Sequence, residues 1–209
     1  MNTFNKNKTK LVIDSAPKTG ARFLKNEIIS SLSLKDNEIF AISDSSKEFE
    51  SKFKKITILR DPKDSIISIC TSIRFFGNFL LKTEIDAKDV LGKSIWQVKM
   101  ANPKTHFEFY KNFYKKVNKN FDHLTVVDFN ELTNNTDNVI KNISKIYDIP
   151  YRNKKIEYEM FNDFDSGFLL SSKITSHYEI VKNDINKFEK ELSKIYKEYN
   201  KCLEKINKL

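Results

Sequence analysis

A three-layer α/β/α fold, with a central parallel sheet of four to five strands and a long C-terminal helix, is what this 209-residue sequence predicts. Three observations carry the expectation. Short β-prone runs alternate with helical patterns, which implies a parallel sheet covered on both faces. A hydrophobic fraction of 39%, with 17 Phe, argues against disorder and suits one domain over 1–209 with a sizeable core. From Val181 the apolar residues step by four and three through Ile185, Phe188, Leu192, Ile195, Tyr199, Cys202, Ile206 and Leu209, a heptad seam.

The elements follow in order. Residues 1–9 read as a loose tail and 10–14 as a buried strand. A helix is expected over 21–33, with Phe23, Leu24, Ile28 and Leu32 on its apolar side. Ile39–Ile42 is a second strand; Ser43-Asp44-Ser45-Ser46 is an N-cap cluster for a helix near 46–54. Lys55–Leu59 is a third strand, and Arg60-Asp61-Pro62 starts a helix with Pro in its first turn. Residues 77–101 show no dominant period. A helix over 104–119, a strand at His123–Asp128 and a helix over 135–147, opened by Thr133 or Asn134, complete the alternation. The heptad helix over 178–209 either packs on its own domain or pairs two chains as a homodimer.

Charge and cysteines narrow the function classes. The excess of 37 basic over 28 acidic residues gives +9, which favours an anionic partner. The lysines are spread along the chain, however, and neither zinc-finger spacing nor an RNA-binding aromatic signature is present, so nucleic acid is not the expected partner. No stretch is apolar enough to span a membrane and the start has no signal-like core, which predicts a cytoplasmic protein with no membrane partner. Cys70 and Cys202 lack metal spacing and read as free thiols.

The chemistry-bearing stretch is KLVIDSAPKTGARFL, residues 10–24. A turn leaving a parallel strand and opening a helix gathers backbone N–H groups at the positive end of the helix dipole, a place suited to an anion. Gly20, one of four glycines, permits close backbone approach, and Lys18 adds a mobile charge. The loop is P-loop-like but no Walker A sequence: Ser15 stands where the first glycine belongs, and Ala21 follows Gly20. A second segment, ILRDPKDSIIS, places Arg60 at the end of the third strand and Ser68 two turns into the next helix, suited to a second phosphate.

Together Ser15–Phe23 (SAPKTGARF) resembles the PKSGTTW loop of the PAPS-dependent sulfotransferase superfamily, and Arg60–Ser68 (RDPKDSIIS) resembles its RNPKDxxxS motif. Trp96, His106 and LTVVDFNELTNNTDNVIKNISKIYDIP follow the order of the family's later motifs. The resemblance implies a sulfotransferase that moves a sulfuryl group from 3′-phosphoadenylyl sulfate (PAPS) to a hydroxyl or amine acceptor, leaving adenosine 3′,5′-bisphosphate. It implies no metal. By resemblance, Pro17, Lys18, Thr19, Gly20, Ala21 and Arg22 hold the 5′-phosphosulfate, Lys18 stabilises the leaving phosphate, and Arg60 and Ser68 hold the 3′-phosphate. Phe23 stands against the adenine or in the core. Lys173 is a substitute for the family's basic C-terminal contact, whose GxxGxxK pattern is absent.

Two departures stand out. The family's paired threonines are Ala21 and Arg22 here, and its early histidine is missing. Asp44 takes that histidine's place as general base or serves only as an N-cap; Glu48 is the second choice. His106 reads as structural. The acceptor, a small molecule or glycan, is expected to meet residues 74–105. A catalytically degenerate nucleotide-binding or scaffold protein and a P-loop phosphotransferase are the alternatives.

Overall fold

Three short apolar runs, Leu11–Asp14 (β1), Ile39–Ile42 (β2) and Lys54–Leu59 (β3), form strands in the structure, a computed structural model that describes residues 8–42, 54–71, 103–152 and 172–206. Thr125–Asp128 (β4) completes the sheet, in the order β2-β1-β3-β4, with every pair parallel. The expected parallel α/β class is therefore present, with four strands among the described residues. Asp44, Glu48, Trp96, residues 46–53 of the helix expected near 46–54 and residues 74–102 of the 74–105 acceptor segment lie outside those residues, while Lys54 begins β3 and residues 104–105 begin a helix.

Packing groups the chain into two units: Met1–Arg60 with Lys116–Glu159 and Cys202–Leu209, and Asp61–Lys115 with Met160–Lys201. The first holds the sheet. Leu11 and Ile13 of β1, Ile56 and Ile58 of β3 and Val127 of β4 are buried in one cluster. Leu24 and Ile28 of helix α1 (Ala21–Ser31) join them. Burying each such side chain contributes on the order of 2 kcal/mol. Val12 and Thr57 are also buried, so the strands read as continuous apolar runs rather than as alternating ones.

Helix α1 stops two residues earlier than the sequence pattern predicts. Leu32 turns extended, Ser33 N–H donates to Pro150 O at 3.0 Å, and Arg152 N–H donates to Ser31 O at 2.8 Å. Arg152 Nη1 also donates to Ile29 O at 3.0 Å. Arg152, far along the chain, thus satisfies two of the helix's last carbonyls.

The helix expected over 135–147 is present, capped by Asn135 rather than by Thr133 or Asn134, and a short helix that the sequence pattern does not predict, Phe129–Asn134, lies before it. The expected helix, Thr136–Tyr147, ends at Asp148, left-handed at φ 51°, with Ile149 N–H donating to Ser144 O at 3.0 Å. Tyr147 donates to Lys55 O at 2.9 Å and shares a bond with Thr125 Oγ1 at 2.5 Å, stitching β3 to β4.

In the second unit, Asp61 caps a helix over 62–71: its carboxylate accepts from Asp64 N–H at 3.0 Å, and Pro62 occupies the first turn. Lys104–Lys119 is helical with the expected bounds. The heptad region is not one helix. Ser172–Asn186 and Glu189–Ile206 are separate, with Lys187 and Phe188 between them. Its seam is buried within the chain at Val181, Ile185, Leu192, Ile195 and Tyr199. Tyr199 meets Tyr114 with ring centroids 5.3 Å apart, and Phe188 meets Phe107 at 5.4 Å. No helix among the described residues is long and apolar enough to cross a membrane.

Candidate functional site

The connection from β1 leads to β2 on one side, and the next crosses to β3 on the other. Strand order reverses there, and in open parallel sheets the loops at the carboxyl ends of the strands diverge at such a point and leave a crevice. The loop after β1 and the segment after β3 both begin at that edge.

The β1 loop is built from inside. Ser15 and Thr19 are fully buried and hydrogen-bonded to each other, and Thr19 Oγ1 donates to Ala16 O at 2.7 Å. Thr19 therefore spends its hydroxyl on the loop itself, which leaves its backbone for any ligand. Lys18 is left-handed at φ 59°, uncommon for a residue with a side chain, and Gly20 is left-handed at φ 95°. Gly20 is the N-cap of α1, whose first turn carries no acidic residue; the first bond of the helix runs from Leu24 N–H to Gly20 O at 2.9 Å. Pro17, Lys18, Gly20 and Ala21 are half-buried and Arg22 is exposed. Phe23 is 40% exposed and stands outside the core, against the expectation that places it on the apolar side of the helix.

Arg60 connects the two segments. Its Nη1 donates to Lys18 O at 2.6 Å, and its guanidinium carbon sits 4.5 Å from the centroid of the Phe129 ring. The sheet explains the second contact: Leu59 pairs with Asp128, so the residues that follow them leave adjacent strands side by side. Asp128 fixes the turn by accepting from Asn130 N–H at 2.8 Å and Glu131 N–H at 3.0 Å. The same ring closes over Gly20, where a Cβ would lie 2.9 Å from Phe129 Cε2.

The remaining expected residues fall elsewhere. Ser68 is half-buried in the 62–71 helix of the second unit. Lys173 lies in the helix Ser172–Asn186, and Asp44 and Glu48 lie outside the described residues. His106 is buried, as a structural histidine would be. Cys70 and Cys202 are buried thiols outside any disulfide, and burial pushes the Cys70 thiol up to about 12. Among the described residues no cluster of His, Cys, Asp and Glu has the makings of a metal site.

Phe129 is the site residue that the sequence pattern does not reveal. The signal for it was partial: an Asp at the end of a β-run with the spacing of an N-cap. Nothing in the sequence says that the next ring reaches back to Gly20.

A family model described as Sulfotransferase domain matches residues 41–199, more than half of the chain. The match takes in Arg60 and Ser68 and begins beyond the Lys18 loop. No curated protein and no solved structure matches the chain.

Proposed function

We infer the function from one premise: the chain belongs to the sulfotransferase domain family and is an enzyme of that type. The proposed donor substrate is PAPS and the proposed acceptor a hydroxyl on a small molecule or glycan. The observation that carries the reading is the 2.6 Å bond from Arg60 to Lys18 O, which joins the two phosphate-type segments at the switch point of the sheet.

Three features support a phosphosulfate at the β1 loop. Two left-handed residues flank Thr19, a backbone arrangement of the kind that turns N–H groups inward on an anion. The helix that follows opens without a carboxylate, so its dipole meets no opposing charge. Lys18 and Arg60 supply cationic groups at the same loop. In the proposed reaction the acceptor oxygen forms a bond to sulfur while the bond from sulfur to the bridging phosphate oxygen breaks. Adenosine 3′,5′-bisphosphate leaves, and Lys18 stabilises the charge that develops on it. Arg60, with Ser68, is the proposed 3′-phosphate contact, the role the resemblance gives both; a guanidinium presents its donors in a fork that suits phosphate oxygens. Exposed Phe23 is the proposed adenine contact. The acceptor proton goes to a carboxylate, for which Asp44 and then Glu48 are the candidates by position.

Calorimetric titration with adenosine 3′,5′-bisphosphate, with ATP in parallel, tests the reading. Preferential binding of the bisphosphate, weakened at least tenfold in Lys18→Met and Arg60→Ala, is the expected result. Equal or tighter binding of ATP, or no binding of the bisphosphate, would sink it.

A further inference from the structure

We propose that Phe129 is a positioning residue for the Lys18 loop, holding it through two contacts of one ring. One face of the ring seats the Arg60 guanidinium at 4.5 Å, and that guanidinium grips Lys18 O at 2.6 Å. The ring edge meanwhile fills the space beside Gly20, where Cδ2 and Cε2 would stand 3.1 and 2.9 Å from any Cβ. A guanidinium over an aromatic face is held by the ring's quadrupole and loses rotamer freedom, so its remaining geometry is set before a ligand arrives.

The backbone that carries the ring is itself fixed. It follows the β3–β4 pair Leu59↔Asp128 and begins a helix whose first two free N–H groups are taken by Asp128. Thr133 Oγ1 donates to Phe129 O at 3.1 Å, and Leu132 of the same short helix is buried with its Cδ2 3.8 Å from the Cβ position of Gly20. The left-handed conformation of Lys18 is one that a free loop disfavours, and such a residue persists where its surroundings over-determine it. Phe129 and Arg60 are those surroundings. As a contributor to donor binding Phe129 rests on the function proposed above; as the brace of the loop it does not.

Hydrogen exchange of the unliganded protein, read by mass spectrometry on the peptide containing Lys18–Arg22, separates the two. The set is wild type, Phe129→Tyr, Phe129→Leu, Arg60→Ala and the double variant Arg60→Ala/Phe129→Leu, each first checked for a cooperative thermal transition. Phe129→Leu is expected to speed exchange in the loop ~2- to 5-fold, the scale of a lost cation–π contact. Phe129→Tyr, which keeps the ring, is expected to match wild type. The double variant is expected to exchange faster than Arg60→Ala but by less than the product of the two single effects, because one of the ring's two contacts acts through the guanidinium and the other directly at Gly20. Unchanged loop exchange in Phe129→Leu, or full additivity in the double variant, would overturn the proposal. Bisphosphate titration of the same proteins gives the second arm: wild type that fails to bind overturns the nucleotide reading, while the exchange data still decide the brace.

Discussion

Replacing Gly20 by Ala perturbs the loop in two separable ways. An alanine forced into the left-handed region at φ 95° costs about 1–2 kcal/mol. Its Cβ would also lie 2.9 Å from Phe129 Cε2, whereas carbon pairs settle at about 3.5–4.0 Å, so the ring must retreat by roughly 0.6 Å or more. Overpacking of that size costs about 1–3 kcal/mol, lower here because the ring is only half-buried. The expected total is about 3 kcal/mol, a fall of roughly 6–12 °C in Tm for a chain of this length. The assay is urea unfolding of Gly20→Ala in the wild-type and Phe129→Ala backgrounds. Without the ring only the backbone share should remain, about 1–2 kcal/mol. A cost below about 0.5 kcal/mol in wild type, or an equal cost in both backgrounds, would refute the packing account.

Asp128→Ala removes the acceptor of two backbone N–H groups and should lower stability by about 1 kcal/mol in the same assay, with Asp128→Asn recovering most of it. Tyr196 gives a pH dependence. Burial first, then its hydrogen bond to Asp61 and the charges of Asp61 and Asp64, push the phenol well above its ordinary value of 10.0. A raised folded-state pKa means the contribution is whole below pH 10 and lost as pH climbs above it. Wild-type stability should therefore decline above about pH 10, and Tyr196→Phe, weaker at neutral pH, should close the gap there; a gap independent of pH would contradict this. Tyr147, raised mainly by burial, leaves some alkaline decline in the variant. With its thiol near about 12, Cys70 is roughly one part in 10⁴ thiolate at pH 8, so a disulfide reagent should label it only after unfolding.

The sheet was legible because its strands are short, β-branched apolar runs bounded by turn and cap residues, and length with those boundaries separates them from helices. The helix over 104–119 was legible to the residue, since its aromatic and charged faces separate cleanly. The break at Lys187–Phe188 was not. Phe188 N–H donates to Ile185 O at 3.0 Å and Leu192 N–H to Phe188 O at 3.0 Å, so the chain tightens for one step and the apolar spacing continues through it. A seam that keeps its period cannot reveal a joint. For the site, Lys18, Gly20 and Arg60 stood out by residue type and place in the pattern. Their mutual geometry did not, because it depends on the Leu59↔Asp128 register and on a ring that is distant in sequence. Phe23 misled because it falls on the helical apolar spacing in the first turn of α1, yet stands 40% exposed while its neighbour Leu24 takes the core position.

Parallel pairing also sets a schedule for the nascent chain. Leu59 finds its partner Asp128 only after about seventy further residues have been made, roughly 3–14 s at ordinary rates of synthesis. Through that interval the backbone edge of β3 that faces β4 waits without its partner, although Ile56 and Ile58 already have Leu11, Ile13, Leu24 and Ile28 to pack on. The edge that will later carry the Arg60 grip is thus, for those seconds, open to mispairing, and slower translation between residues 60 and 128 lengthens the exposure.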